Sequence, residues 1–275
     1  VSRYFITFLK NKMKVSVVIP TYNRVSLLVK AIESVIKQTY PAFEILICDD
    51  GSTDNSKELV SRFDSQIVKW IDCGKNGRPA IPRNIGIKQA KGDWVAFLDS
   101  DDEWLPNKLE HQIKALEQSH NKFICTNAWA HSESSKRLFF ENTINREIGF
   151  DELVRSNTII CSSVLCEKET LFKAFLFPEE VELKALEDYV LWLKVAMLTN
   201  VQYISEPLVM YLDVPSQSIR NQSDDTIKQR AVIFDYFKRN KQRFLKSNLL
   251  KLYKEFRSQY KSRIQRLIDL ERILL

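Results

Sequence analysis

No stretch of this 275-residue chain approaches the roughly 18 apolar residues that a membrane-crossing helix needs. The longest apolar runs, such as Val15-Ser16-Val17-Val18-Ile19, are strand-sized. The N-terminal Phe5-Ile6-Thr7-Phe8-Leu9 lacks a long apolar region and a small-residue cleavage site, so no secretory signal is expected. The chain opens on Val1, and residues 1–12 are expected to be an extension ahead of Met13 as initiator. Cysteine is sparse and odd in number: five residues, at 48, 73, 125, 161 and 166, with no C-x-x-C spacing. That excludes a disulfide framework and a zinc site, and fits a reducing cytoplasm. Internal repeats and low-complexity segments are also absent. Only three histidines occur, His111, His120 and His131, and all are expected at the surface. What remains is 44% hydrophobic and 28% charged, the composition of a soluble globular domain with room for an appendage.

The charge of +6 is unevenly placed. Residues 226–275 carry fourteen Lys/Arg against four Asp/Glu, a net +10, which leaves about −4 for residues 1–225. Three segments are expected: the extension 1–12, a catalytic body over 13–225, and a basic tail over 226–275. In the tail, Leu249, Leu252, Tyr253, Phe256, Tyr260, Ile264, Leu267 and Ile268 recur at helical spacing.

Between Met13 and Leu98, short β-branched runs alternate with helical patterns. Strands are expected at Val15–Ile19, Phe43–Cys48, Ile67–Ile71 and Trp94–Leu98, and helices at Val25–Ile36, Ser56–Phe63 and Pro82–Ala90. Asp54 or Thr53 is the expected cap of the second helix. Such alternation predicts an α/β fold: a Rossmann-like, mostly parallel central sheet flanked by helices. Past residue 105 the pattern is mixed. A helix is expected over Asn107–Gln118, strands at Phe123–Asn127, Ser162–Cys166, Val201–Ile204 and Leu208–Leu212, and a helix over Leu186–Leu198 that opens on Glu187-Asp188. Residues 213–225 read as a loop.

Three of the strands run into polar residues: Pro20-Thr21-Tyr22-Asn23-Arg24, Asp49-Asp50-Gly51-Ser52-Thr53-Asp54 and Asp99-Ser100-Asp101-Asp102-Glu103. Open α/β sheets bind ligands at the carboxyl ends of their strands, so one cleft is predicted. Asp99 and Asp101 flank a single residue, and two such carboxylates suit a hard divalent cation that also takes diphosphate oxygens. Read alone, the same acids more often terminate a strand and cap the next helix. Asp50 can accept from a ribose hydroxyl or a base N–H, or serve a turn. Tyr22 can stack on a base and Arg24 can pair with phosphate, or both can belong to an ordinary loop. Arg83 at a helix start can reach a diphosphate, or be solvated. Glu187-Asp188 can be a dipole-favoured helix start.

Together, in order and spacing, Val17-Val18-Ile19-Pro20-Thr21-Tyr22-Asn23-Arg24, Asp49-Asp50-Gly51-Ser52-Thr53-Asp54, Arg83-Asn84-Ile85-Gly86, Phe97-Leu98-Asp99-Ser100-Asp101-Asp102, Ser162-Ser163-Val164 and Leu186-Glu187-Asp188-Tyr189-Val190-Leu191-Trp192 resemble the family 2 glycosyltransferases of the GT-A fold. The resemblance covers roughly residues 13–212. It implies a bacterial surface-polysaccharide enzyme that moves a hexose from a UDP-sugar with inversion. Pro20 and Tyr22 would border the uracil, Asp50 would contact the nucleotide, and Arg24, Arg83 and Ser100 would lie along the donor. Asp99 would hold ribose or metal, Asp101 would ligate Mn²⁺ or Mg²⁺, and Asp188, with Glu187 beside it, would be the base. The processive relatives' Q-x-x-R-W motif and membrane spans are missing, which implies addition of one sugar or a few.

The sequence also departs from the family. Many relatives carry a His after the last strand, where it can approach the metal, whereas Tyr211–Gln217 has none; Asp213 or Gln217 could substitute, the metal could lack that ligand, or Arg220 could serve the phosphates instead. The acceptor is expected to be a saccharide on a polyprenyl diphosphate, an O-antigen or capsule intermediate, lined by Asn157, Thr158 and Ser162. The donor is expected to be selected near Asp99–Asp102 and by 213–225. The tail is expected to bind the anionic cytoplasmic face of the inner membrane, or alternatively to pack on the body or on a second subunit as a homodimer. The acidic body argues against nucleic acid as a partner. A sugar-nucleotide pyrophosphorylase needs a glycine-rich loop after strand one, which Pro20–Arg24 is not. A non-catalytic saccharide-binding scaffold would not need Asp99, Asp101 and Asp188 intact.

Overall fold

A computed structural model describes residues 13–132, 135–213 and 226–258. The extension 1–12, most of the 213–225 loop and tail residues 259–275 lie outside the described residues.

The first half forms as its alternation dictates. Strands β1 (Val15–Thr21), β2 (Glu44–Asp49), β3 (Val68–Asp72) and β4 (Trp94–Phe97) alternate with helices α1 (Val25–Ile36), α2 (Ser56–Val60) and α3 (Ala80–Gln89). β1 pairs in parallel with both β2 and β4, and β2 pairs in parallel with β3. Every residue of β1 and β2 is buried, as expected for strands covered on both faces. On one face, α1 contributes buried Leu28, Ala31, Ile32 and Val35. On the other, α3 lies so close that a Cβ on Gly86 would sit 2.6 Å from Val18 Cγ1 and 2.7 Å from Cys48 Sγ. The expected cap at Asp54 or Thr53 is corrected to Asn55, which makes no side-chain capping bond; the Asp54 carboxylate instead accepts the N–H of Ser56 at 3.1 Å and of Val25 at 3.2 Å, linking the starts of α2 and α1.

The second half extends the same sheet. Its elements are β5 (Glu103–Trp104), α4 (Lys108–Glu117), β6 (Phe123–His131), β7 (Lys136–Leu138), β8 (Arg146–Ile148), α5 (Phe150–Leu153), β9 (Leu165–Glu167), α6 (Lys168–Lys173), α7 (Glu187–Ala196) and β10 (Val201–Leu212). The strand order is β3-β2-β1-β4-β9-β6-β10-β5, with β7 on β6 and β8 on β10. β9 runs antiparallel to both β4 and β6 and so joins the parallel halves. The strand expected over Ser162–Cys166 begins only at Leu165, because Cys161–Ser163 forms a 3₁₀ turn. Serine hydroxyls cause this: Ser163 donates to Ile160 O at 2.7 Å, offering the backbone an alternative to the ladder. The two strands expected at Val201–Ile204 and Leu208–Leu212 are one continuous β10, whose register against β6 shifts on either side of Pro207. Proline has no N–H for the ladder and is accommodated at such an irregularity.

All of α7 is buried, with Trp192 packed on Phe97, Phe123 and Phe177. The tail forms α8 (Thr226–Arg239) and α9 (Lys246–Ser258). Ile233, Phe234, Tyr236, Phe237, Leu252 and Phe256 are buried in the same core cluster as α7 and α5. In the described part of the tail, the apolar stripe is therefore packed against the body.

Lys194 of α7 is sealed under this tail. It is 2% exposed and donates to Leu176 O at 2.6 Å and Tyr236 Oη at 3.3 Å. Burial, opposed by Glu180, brings its pKa from 10.5 down to about 7. The unfolded chain takes up this proton near the ordinary lysine value, the folded one only near neutrality. The cost to stability therefore grows as pH falls through that window and is relieved as pH rises. Relative to Lys194→Met, the wild type is expected to gain about 2 kcal/mol in urea-unfolding free energy between about pH 7 and 9. Parallel pH profiles for the two proteins would show that Lys194 is not buried as a shifted amine.

Candidate active site

The acidic turn after β4 is held from below. Asp102, 2% exposed, accepts Leu212 N–H at 2.9 Å through Oδ1 and Ser162 Oγ–H at 2.5 Å through Oδ2. The Ser162 hydroxyl accepts Asp99 N–H at 3.0 Å. Burial, reinforced by Asp101 and Asp99, pushes the Asp102 carboxyl well above the usual carboxylate range. Asp102 thus ties the turn to the end of β10 and to the 3₁₀ turn. It is a structural member of the site that the D-x-D reading passed over, although its place as third acid in the run was visible.

Above it, Asp99, Ser100 and Asp101 face the cleft. Asp101 forms an ion pair with Arg24. Burial first, then the Asp99 carboxylate, raises the Asp101 pKa, while Arg24 lowers it. Asp99 accepts from Arg83 Nη2 at 2.6 Å. Arg83, on α3 and only 4% exposed, sends Nη1 to Glu187 Oε1 at 3.0 Å and lays its guanidinium 5.3 Å from the Phe177 ring centroid. A single buried arginine therefore bridges the acidic turn to the start of α7. Its neighbour Asn84 points the other way, pairing with the Phe177 backbone through both side-chain atoms.

Glu187 and Asp188 occupy the first turn of α7, where the helix dipole favours acids. Glu187 is 5% exposed. Burial raises its pKa, Arg83 pulls it down, and Asp188 adds to the rise. Asp188 lines the cleft and accepts Tyr189 N–H at 2.7 Å. The Tyr189 hydroxyl fixes the helix start by donating to Leu153 O at 2.8 Å.

On the strand-end side, Asp50 accepts Asn76 N–H at 2.8 Å and Asn76 Nδ2 at 2.9 Å on one oxygen, and Gly77 N–H at 2.8 Å on the other. Both carboxylate oxygens are engaged in shaping the 73–79 loop, where Gly74 and Gly77 take φ of +70° and +75°. Asp50 thus holds a wall of the cleft as well as facing into it. The β1 loop is linked to the β2 loop by Asn23 Oδ1, which accepts Thr53 N–H at 2.7 Å. Tyr22 is left 42% exposed at the cleft, its ring available for stacking.

All ten residues named from the sequence, Pro20, Tyr22, Arg24, Asp50, Arg83, Asp99, Ser100, Asp101, Glu187 and Asp188, line one cleft of about 420 Å³. Arg78, Ile160, Cys161, Lys184 and Tyr211 also line it and were not anticipated. Arg78 follows the Gly77 turn and Lys184 precedes the Glu187-Asp188 pair by three residues, and neither belongs to a motif. The expected acceptor residues fall elsewhere. Ser162 is fully buried beneath the acidic turn, and Asn157 Oδ1 accepts Ile159 N–H at 3.1 Å. Asp213 pairs with Arg137 at 2.9 Å, while Gln217 and Arg220 lie outside the described residues. His111 pairs with Glu206 at 2.7 Å, and no histidine lines the cleft. Among the described residues, no group of three His, Cys, Asp or Glu is placed to hold a metal by itself.

The family profile of Glycosyl transferase family 2 matches residues 16–171. The chain is 37% identical over 203 residues to an uncharacterized glycosyltransferase of Rickettsia conorii, covering 72% of this chain and 32% of that protein. It therefore spans about a third of the length of that relative. It is 34% identical over 191 residues to the UDP-Glc:alpha-D-GlcNAc-diphosphoundecaprenol beta-1,3-glucosyltransferase WfgD of Escherichia coli, covering 70% of this chain and 73% of that one. Among solved structures it superposes on S. aureus TarS in complex with UDP-GlcNAc with a TM-score of 0.69 at 18% identity, covering 95% of this chain and 78% of that one. With a cleft whose acidic turn and acidic helix start sit where the motifs placed them, the chain has the GT-A fold and belongs to glycosyl transferase family 2.

Proposed function

We propose that this protein is an inverting, metal-dependent, non-processive glycosyltransferase. It moves a hexose from a UDP-sugar to a saccharide on a polyprenyl diphosphate, an intermediate of a surface polysaccharide. The observation that carries this reading is the bridging of Asp99 and Glu187 by Arg83, which holds a leaving-group side and a nucleophile side in one cleft. The activity for which the Escherichia coli relative is named supports the choice of donor and acceptor.

The chemistry follows from the groups present. A sugar hydroxyl is a poor nucleophile until a carboxylate takes its proton, and Asp188 is the cleft carboxylate at the start of α7. Displacement of UDP from the anomeric carbon by that oxygen, on the face opposite the leaving group, inverts the centre. Tyr22 offers a stacking face to the base, and Asp50 keeps the 73–79 loop in place beside it. Arg83 orients Asp99 and Glu187 relative to one another.

The acidic turn fits a divalent cation. Asp99 and Asp101 flank one residue at the strand end and both line the cleft, so they offer hard oxygen donors to one space even with Arg83 and Arg24 beside them. Asp99 and Asp101 would hold Mn²⁺ or Mg²⁺, with diphosphate and water oxygens completing the shell. When bound, the cation would neutralise charge developing on the departing diphosphate.

The test is nucleotide release from a panel of UDP- and GDP-sugars, with and without a synthetic lipid-diphosphate sugar, in Mn²⁺ and in chelator. Release is expected to require a UDP-sugar, the acceptor and the metal. Asp101→Ala is expected to lose at least about a hundredfold in turnover. Wild-type turnover by that variant, or full activity in chelator, would refute the metal role, and failure to bind any donor would favour a non-catalytic scaffold.

In the same reading the enzyme works at the cytoplasmic membrane face. The described tail has its apolar stripe packed inward, so its contribution to membrane docking is its basic face, where Lys241, Lys246 and Lys254 are exposed. At roughly 1 kcal/mol per lysine, changing all three to Gln is expected to weaken binding to anionic vesicles on the order of a hundredfold. Unchanged flotation with such vesicles would remove the tail from membrane docking.

A further inference from the structure

Four cations line the cleft: Arg24, Arg78, Arg83 and Lys184. Two are neutralised in place, Arg24 by Asp101 and Arg83 by Asp99 and Glu187. Among the described residues, Arg78 and Lys184 have no ion pair within 4.0 Å. They sit on different segments. Arg78 belongs to the 73–79 loop that Asp50 organises, with Nε and Nη1 buried and without hydrogen-bond partners, and its charge reaches Glu182 ahead of Lys184. Lys184 belongs to the segment that leads into α7, three residues ahead of Glu187 and four ahead of Asp188.

The backbone around Lys184 is unusual. Leu183 is fully buried and ends a 3₁₀ turn over Val181–Leu183. Lys184 is extended, at φ −55° and ψ 129°, and Ala185 then takes φ +66°, a left-handed conformation disfavoured for a residue with a Cβ. Glycine would be the ordinary choice at such a reversal. Strain of this kind persists where the surrounding structure over-determines it, often beside a functional group. Here it turns the chain between a buried anchor at Leu183 and a buried helix start at Glu187, and it leaves the long Lys184 side chain exposed on the cleft wall.

We infer that Lys184 is a specificity-determining residue for the acceptor: it takes the diphosphate that links the acceptor sugar to its lipid. The inference rests on the transferase reading above. The hydroxyl that attacks must lie at Asp188, so the sugar's own anomeric diphosphate lies about one ring away, on the Asp188 side of the cleft. The donor's diphosphate lies instead at the acidic turn. Among the described residues, Lys184 is the one cleft cation carried by the segment that leads into α7, and it has no ion pair within 4.0 Å. A lysine serves this role because its ammonium is a compact point charge on a long stem, able to meet an anion at the open edge of the site. An amine held at a strained reversal also has fewer positions to search than one on a free loop.

Donor and acceptor both carry a diphosphate, so the experiment separates them. Protein saturated with UDP is titrated with a short-chain alkyl diphosphate lacking any sugar, by calorimetry. Wild type is expected to bind it, Lys184→Ala to bind about tenfold more weakly, and Lys184→Arg to retain most of the affinity. In transfer assays, the preference for a diphosphate-linked acceptor over an uncharged alkyl glycoside of the same sugar is expected to fall by a similar factor in Lys184→Ala. A rise in donor KM of the same size would move Lys184 to the donor site and overturn the assignment. Equal losses with both acceptors would also overturn it, leaving only a structural role. If wild type binds the alkyl diphosphate through Lys184 but transfers to neither acceptor, the transferase reading fails while the anion site stands. If it transfers to both acceptors but does not bind the alkyl diphosphate, the anion site fails alone.

Discussion

Asp188→Asn is expected to lower kcat by about a thousandfold while leaving donor affinity within about twofold. The substitution is nearly isosteric, and the side-chain oxygen that accepts Tyr189 N–H remains available, so the start of α7 is retained. What is lost is a basic oxygen to receive the acceptor proton. The change in stability is expected to be small, because the lost dipole-favoured charge is offset by relief beside Glu187. The Asp188 charge opposes that of Glu187 beside it, and its removal relieves repulsion between two buried acids. Stability and catalysis are therefore expected to separate: an unfolding midpoint close to wild type, with turnover nearly abolished. Steady-state kinetics at saturating donor and acceptor, alongside urea unfolding, measures both. Turnover above about a tenth of wild type would remove Asp188 from the role of base, since a positioned general base contributes a hundredfold or more.

Much of this site was legible because its chemistry lies at strand ends and a helix start. Apolar runs such as Val15–Ile19 locate the strands, and the first polar residues after them must then fall along one edge of a parallel sheet. Strand ends alone bring Tyr22, Asp50 and Asp99–Asp101 together, and spacing alone places α1 at Val25–Ile36. Pattern fails where local chemistry overrides it. Ser162 looked like a strand residue near the acceptor, but its hydroxyl is engaged by Asp102 and Asp99, and the backbone turns instead of pairing. Pro207 looked like a break between two strands, whereas β10 absorbs it as an irregularity and continues. Lys184 carries no motif, and the reversal at Ala185 is a backbone property that side-chain pattern does not announce. Within the described residues the tail's apolar stripe is a packed face, but periodicity shows only that a face must be covered. It does not say whether the cover is lipid, a second subunit or the same chain, and for Leu252 and Phe256 it is the same chain.

The bridging arginine gives the second large effect. Arg83→Met is expected to cost about 3–5 kcal/mol in stability, a sizeable part of the roughly 5–15 kcal/mol typical of a whole domain. The cost does not come from losing a favourable pair as such. Glu187 is 5% exposed and Asp99 leans on the same guanidinium, so removing the arginine strands negative charge in a poorly solvated cleft. Arg83→Lys is expected to recover only part of it, because one ammonium cannot reproduce a fork that reaches two carboxylates with separate nitrogens. The test is a double-mutant cycle with Glu187→Gln. If the penalty is an uncompensated charge, Arg83→Met with Glu187→Gln is expected to be more stable than Arg83→Met alone by about 1–2 kcal/mol, even though it carries one more substitution. Glu187→Gln by itself is expected to be mild, since burial and Asp188 already raise the pKa of that carboxyl and Arg83 keeps Asp99. Additive losses in urea-unfolding free energy would show instead that Arg83 contributes mainly by packing against Phe177. In every Arg83 variant that folds, turnover is expected to fall further than stability. The acidic turn and the start of α7 would then no longer be held in register across the cleft.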